Sequence, residues 1–138
     1  MSYKAIKFFW IGALALLPLW AGAQQQPQSE EEEIKQMREA IDRSVDSYVN
    51  LLDLEDWQTF YVDSILTHDY EAMRLELKEM RDAKMTNSDG YQRVQDKWAE
   101  QVYVSFQKVF NEEQWAKYLK AGAARDKKSR DKRAAKRK

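Results

Sequence analysis

From residue 24 onward this chain contains one proline, Pro27, and two glycines, Gly90 and Gly122. So few chain breakers among many Glu, Lys, Arg, Gln, Leu and Met residues leave long helices as the natural secondary structure. No stretch alternates apolar and polar residues with the period of a strand. Cysteine is absent. Neither disulfides nor thiolate chemistry is available, and packing must supply the stability.

Apolar periodicity divides the chain into four helices, expected to form two helical hairpins in a curved, all-α bundle. Ser29 caps the first helix, with Glu32 as its capping-box partner and Glu30–Glu33 at the positive end of the helix dipole. Ile34, Met37, Ile41, Val45, Tyr48 and Leu52 form its apolar stripe. The second helix runs from about Asp56 to Ala83, with Trp57, Tyr61, Ile65, Tyr70, Met73, Leu77 and Met80 near one face. Lys84–Gly90 is a loop by its cluster of turn residues. Tyr91, Val94, Trp98, Val102, Phe106 and Val109 stripe the third helix, widened by Ala99, Tyr103 and Phe110. The fourth starts near Glu112 and presents Trp115, Tyr118 and Leu119.

The first 23 residues follow the order of an export signal. Lys4 and Lys7 give a positive start, Phe8–Trp20 an apolar run, and Ala21-Gly22-Ala23 a small-x-small cleavage site, so cleavage is expected after Ala23. The alternative, an uncleaved anchor, must span with the 16 residues Phe8–Ala23. These reach about 24 Å as a helix, short of a hydrocarbon core of about 30 Å. With no cysteine after the run, a bacterial lipoprotein is excluded. The expected organisation is a signal peptide (1–23), a polar linker (24–29), a helical domain (30–124) and a basic tail (125–138), located in the periplasm.

The formal net charge of zero hides an asymmetry. Arg125–Lys138 carries nine basic and two acidic residues, whereas 24–124 carries 12 basic and 21 acidic ones. The tail, with Arg125, Lys127, Lys128, Arg130, Lys132 and Arg133, has two readings: a solvated helix extension, or an electrostatic arm for anionic envelope surfaces or acidic partners. Nucleic acid suits its charge but not an exported protein.

Two corners carry the most specific pattern. In Phe110-Asn111-Glu112-Glu113-Gln114-Trp115, Asn111 caps the fourth helix and Gln114 closes a capping box, with Phe110 and Trp115 as a hydrophobic staple. The first corner reads Leu52-Asp53-Leu54-Glu55-Asp56-Trp57-Gln58, where Glu55 is a poor cap and Asp53 is the alternative. Matching Trp57 to Trp115 gives an internal offset of 58 residues, by duplication or by chance. These corners resemble the paired Leu-Thr-x-x-Gln motifs of the Spy/CpxP-like periplasmic family. Leu54 and Gln58 match the first motif, with Glu55 in place of Thr. The second keeps Gln114 and substitutes Phe110 and Asn111. The resemblance implies a curved four-helix homodimer that binds unfolded envelope proteins without ATP, some relatives instead binding metal or restraining a sensor kinase.

Catalysis has little to work with. His68 is the single histidine; beside Asp69 and Glu71 it makes at most a sparse metal sketch, and a solvent-exposed helix position suits it better. No Gly-rich phosphate loop exists, and no cofactor is implied. The expected activity is therefore binding, not catalysis. Tyr61, Tyr70, Met73, Met80 and Tyr103 are candidate client contacts, because thioethers and aromatic rings adapt to varied partners. The same residues suit a bundle core or a dimer interface.

Overall fold

The computed structural model describes residues 28–137, and within them the protein is all-α. The expected signal peptide, its cleavage after Ala23 and most of the linker lie outside the described residues. Helix α1 spans Glu30–Leu52, α2 Asp56–Asp82, α3 Ser88–Val109 and α4 Glu112–Tyr118. A π-helical turn, Leu119–Ala123, carries α4 into α5, Ala124–Lys136. Gly122 in that turn has φ 137°, a backbone that side-chain-bearing residues rarely adopt, so glycine makes the bend.

Helices α1 and α2, and α2 and α3, are antiparallel neighbours. Arg81 near the end of α2 reaches Glu33 at the start of α1 (3.3 Å), and Lys97 of α3 meets Glu76 of α2 (2.9 Å). Helix α4 packs on α1 and α5 folds back along α3. Phe106, Ile41, Leu52, Leu66 and Val62 are the largest fully buried side chains, each stabilising by about 1.5–3 kcal/mol relative to exposure. Around them Tyr48, Phe106, Phe110 and Tyr118 form edge-on and tilted ring pairs with centroids 5.1–5.8 Å apart.

The caps explain most helix boundaries. Ser29 Oγ accepts the Glu32 amide at 3.3 Å, and Asn111 Oδ1 accepts the Gln114 amide at 2.9 Å. The connection after α2 is shorter than expected, because Asn87 Oδ1 accepts the Asp89 amide (3.0 Å) and starts α3 at Ser88. Gly90 thus falls in the first turn of α3. A Cβ there would come within 3.2 Å of Met80 Cε, so the small residue makes room for Met80.

Three expectations are corrected. Asp53 does not cap α2; it closes α1 in a left-handed conformation (φ 52°, ψ 55°), and Glu55 occupies the cap position of α2. Aspartate tolerates this backbone better than most side chains. The fully buried stripe of α2 is Gln58, Val62, Leu66 and Asp69; of the expected stripe, Ile65 and Tyr70 pack against that core, whereas Trp57 and Tyr61 lie outside it. The 58-residue offset is replaced by 56: Glu55 and Asn111 are both N-caps, Leu54 and Phe110 are both buried, and so are Gln58 and Gln114. The first corner is one residue longer than the second, and left-handed Asp53 absorbs the difference.

Candidate functional site

The two corners meet at one node. Gln58 and Gln114, each at the third position of its helix, are 3 % and 7 % exposed. Gln58 Nε2 donates to Gln114 Oε1 (2.7 Å) and Gln114 Nε2 donates to Gln58 Oε1 (3.0 Å), a cyclic amide pair. Each amide also accepts from its own cap: the Glu55 amide to Gln58 Oε1 and the Asn111 amide to Gln114 Oε1, both at 3.0 Å. The second proton of each Nε2 crosses the molecule. Gln58 donates to Val109 O, the last carbonyl of α3 (3.0 Å), and Gln114 to Leu52 O, the last carbonyl of α1 (3.3 Å). An amide offers two donors and two acceptor sites, and here all are used. Two helix starts and two helix ends are thereby tied together, with opposite dipole ends adjacent. This is scaffold chemistry, and it fixes what the first turns of α2 present to solvent.

Since Gln58, Val62 and Leu66 turn inward, Trp57, Phe60 and Tyr61 turn outward. They are 51 %, 67 % and 51 % exposed. Their rings stand edge-on, Phe60 to Tyr61 at 5.7 Å and Trp57 to Tyr61 at 6.2 Å. The indole N–H of Trp57 donates to the Glu55 carboxylate, which orients the ring. The three rings form an exposed apolar patch outside the core. Periodicity alone places Trp57 and Tyr61 on the core stripe and does not single out Phe60, so Tyr61, as an expected client contact, is the one residue of this patch legible in the sequence.

Of the five expected client contacts, Tyr61 alone belongs to this face. Tyr70 and Tyr103 are half-buried against the core, and burial pushes the Tyr70 hydroxyl, like those of Tyr48 and Tyr118, above its ordinary range. Met73 is half-buried and Met80 packs toward Gly90. The corner residues Leu52, Leu54 and Phe110 are core, and Trp115 is half-buried with its ring 5.0 Å from Tyr103.

His68 projects into solvent, and its Nδ1 lies 2.8 Å from Asp69 Oδ1. Glu71 instead engages Arg74, whose hydrogen bond holds the carboxyl below the usual range. The three residues therefore do not converge, and among the described residues no group of three His, Cys, Asp or Glu side chains is placed to hold a metal ion. Asp69 Oδ2 is buried without a hydrogen-bond partner. A shallow cleft of about 460 Å³ between α1 and α2 is lined by Arg38, Asp42, Asp63 and His68, among others.

The tail is a helix with two different faces. Lys127 and Arg130 bind Glu100 (2.7 and 3.1 Å), Arg133 binds Asp96 (2.8 Å), and Arg137 reaches Asp89 and Asp96 (3.2 and 3.4 Å). Lys127 and Arg130 also lie over the Tyr103 ring, at 5.6 and 5.5 Å. Burial pushes the Asp96 carboxyl up, but hydrogen bonds from Arg133, Gln92 and Arg137 and the charge of Arg133 outweigh it and hold it below the ordinary range. Arg125, Lys128, Lys132 and Lys136 are exposed. At 100° per residue they fall within an arc of about 80°. Among the described residues, Lys128, Lys132 and Lys136 form no ion pair, while Arg125 touches Asp126 at 3.5 Å.

No helix among the described residues is long and apolar enough to cross a membrane. No family model, no curated protein and no solved structure matches the chain.

Proposed function

We propose that this chain is a non-enzymatic, ATP-independent binding protein of the cell envelope, which holds apolar segments of unfolded proteins on the Trp57–Phe60–Tyr61 face. The observation that carries the reading is that face: three exposed aromatics on a rigid helix, held in place by the glutamine node. The leader-like N-terminus and the likeness of the two corners to the Spy/CpxP-like motifs support the compartment and the client class. A homodimer is compatible with this reading but is not needed for it. The test is light scattering from a chemically denatured client diluted into a stoichiometric excess of the protein. Suppression of aggregation is expected, and W57S/F60S/Y61S should lose most of it while keeping the far-UV helical signal. Unchanged aggregation with the parent protein would sink the proposal.

A second reading rests on α5. Lys128, Lys132 and Lys136 repel one another at i,i+4 spacing without an internal partner, a cost that an anionic surface would offset. Each cation near such a surface contributes about 1 kcal/mol. K128E/K132E/K136E should therefore abolish sedimentation with anionic vesicles at low salt. Equal sedimentation of parent and variant would rule the reading out.

A further inference from the structure

Along the chain, the charge around the aromatic face is one-sided. Between Arg43 and Arg74 the chain has no lysine or arginine and seven carboxylates. Four of these, Asp53, Glu55, Asp56 and Asp63, are exposed in the first corner and the first turns of α2. Helical spacing puts Phe60 in one row between Asp56 and Asp63, with Trp57 and Tyr61 in the next. Glu55 is fixed against the Trp57 indole. Arg38 of α1 shares a cleft with Asp63, and none of the three rings lines it.

An aromatic ring presents its negative π face to a cation, and nearby carboxylates deepen the attraction. An acidic segment meeting the same rings would face uncompensated repulsion, so the rim selects as well as attracts. The fold does not neutralise the charge of these acids, although Asp63 accepts a hydrogen bond from Thr67 (3.3 Å). Among the described residues, Asp53, Asp56 and Asp63 form no ion pair, whereas Glu71 and Asp82 further along α2 are paired with Arg74 and Lys78. Resting on the binding function proposed above, we infer that this platform selects one kind of partner: an extended polypeptide segment carrying both apolar and Lys/Arg side chains, the cations seated over Trp57 and Tyr61 and against Asp56 and Asp63. The charge complementarity of the rim argues for this occupant.

The experiment uses the purified protein and three fluorescent, unstructured peptides of equal length and apolar content, with net positive, zero and net negative charge. Anisotropy titration at low salt should rank them positive, zero, negative, with the positive peptide about tenfold tighter than the neutral one. D53N/D56N/D63N, which leaves the Glu55 cap in place, should erase that ranking but keep the neutral peptide's affinity. W57S/F60S/Y61S should weaken all three. Added salt should shrink the advantage, since screening shortens to about 3 Å at 1 M. Equal affinity for all three peptides, or preference for the acidic one, overturns the inference while leaving the binding function standing. Failure of all three to bind overturns both. Tight binding of the positive peptide that survives D53N/D56N/D63N overturns the rim assignment, and a second copy of the chain as occupant would show instead as concentration-dependent mass without peptide.

Discussion

Replacing Gln58 by leucine is expected to lower the unfolding free energy by about 3–5 kcal/mol, although leucine is more apolar and similar in size. The reason is the number of groups the amide serves. Its loss leaves the Glu55 amide, Val109 O and both polar atoms of Gln114 short of a partner inside the bundle. A buried unsatisfied polar group costs about 1–3 kcal/mol, against about 1 kcal/mol gained from the extra apolar surface. Gln114→Leu should cost a similar amount, by stranding Leu52 O and the Asn111 amide. Because the single variants share the cyclic pair, Q58L/Q114L should cost less than their sum by about 1–3 kcal/mol. Urea unfolding of the four proteins, followed by circular dichroism, measures all three quantities. A cost below about 1 kcal/mol for Q58L, or strict additivity, would mean that the node is not what joins the corners.

The same node separates what was legible in the sequence from what was not. Helix class, the Ser29 and Asn111 caps and the Gln114 capping box follow from local chemistry, which acts within four residues and is written in the chain. The phase of α2 does not follow. Hydrophobicity favours Trp57 and Tyr61 over Gln58 as inward residues, and only a partner 56 residues away makes a buried glutamine stable. Asp69 deepens the error, since it too is buried on that stripe. The exposed aromatic patch turns on that phase, because Trp57 and Tyr61, which periodicity places on the core stripe, are left outside. For the corners, matching the two tryptophans by type gave the wrong register, while matching the two glutamines by their role in capping gives the right one. In the tail the helical extension was legible, but its docking on α3 was not. Its cations looked free because their partners, Asp89, Asp96 and Glu100, lie on another helix.

Helix α5 is held by charge and is expected to come loose when that charge is removed. None of its residues is buried, so its docking rests on the ion pairs to α3 and the two cations over Tyr103. Some of those groups are shielded: the Arg130 and Asp96 side chains are 10 % and 12 % exposed. After allowance for solvent screening at the more exposed partners, the docking free energy is about 2–3 kcal/mol. D96N/E100Q should therefore speed amide exchange across 124–136 by about 30- to 150-fold. Exchange in α1 and α2 should be unchanged, since their packing does not pass through α5. Acid should act in the same direction. The Asp96 and Asp89 carboxyls are held below their ordinary range in the folded chain. Their contribution is thus complete above the unfolded value of about 3.9, and is lost as pH falls from there through the lower folded values. Raising pH from neutral should not loosen α5 until lysine begins to titrate. Salt should loosen it less than D96N/E100Q does, because the contacts at 2.7–3.1 Å are hydrogen-bonded as well as Coulombic. Peptide-level hydrogen exchange at neutral pH, at pH 3 and in 1 M salt separates these cases. Protection of α5 that is the same in D96N/E100Q and the parent would show that something other than the acidic row of α3 holds the basic helix down.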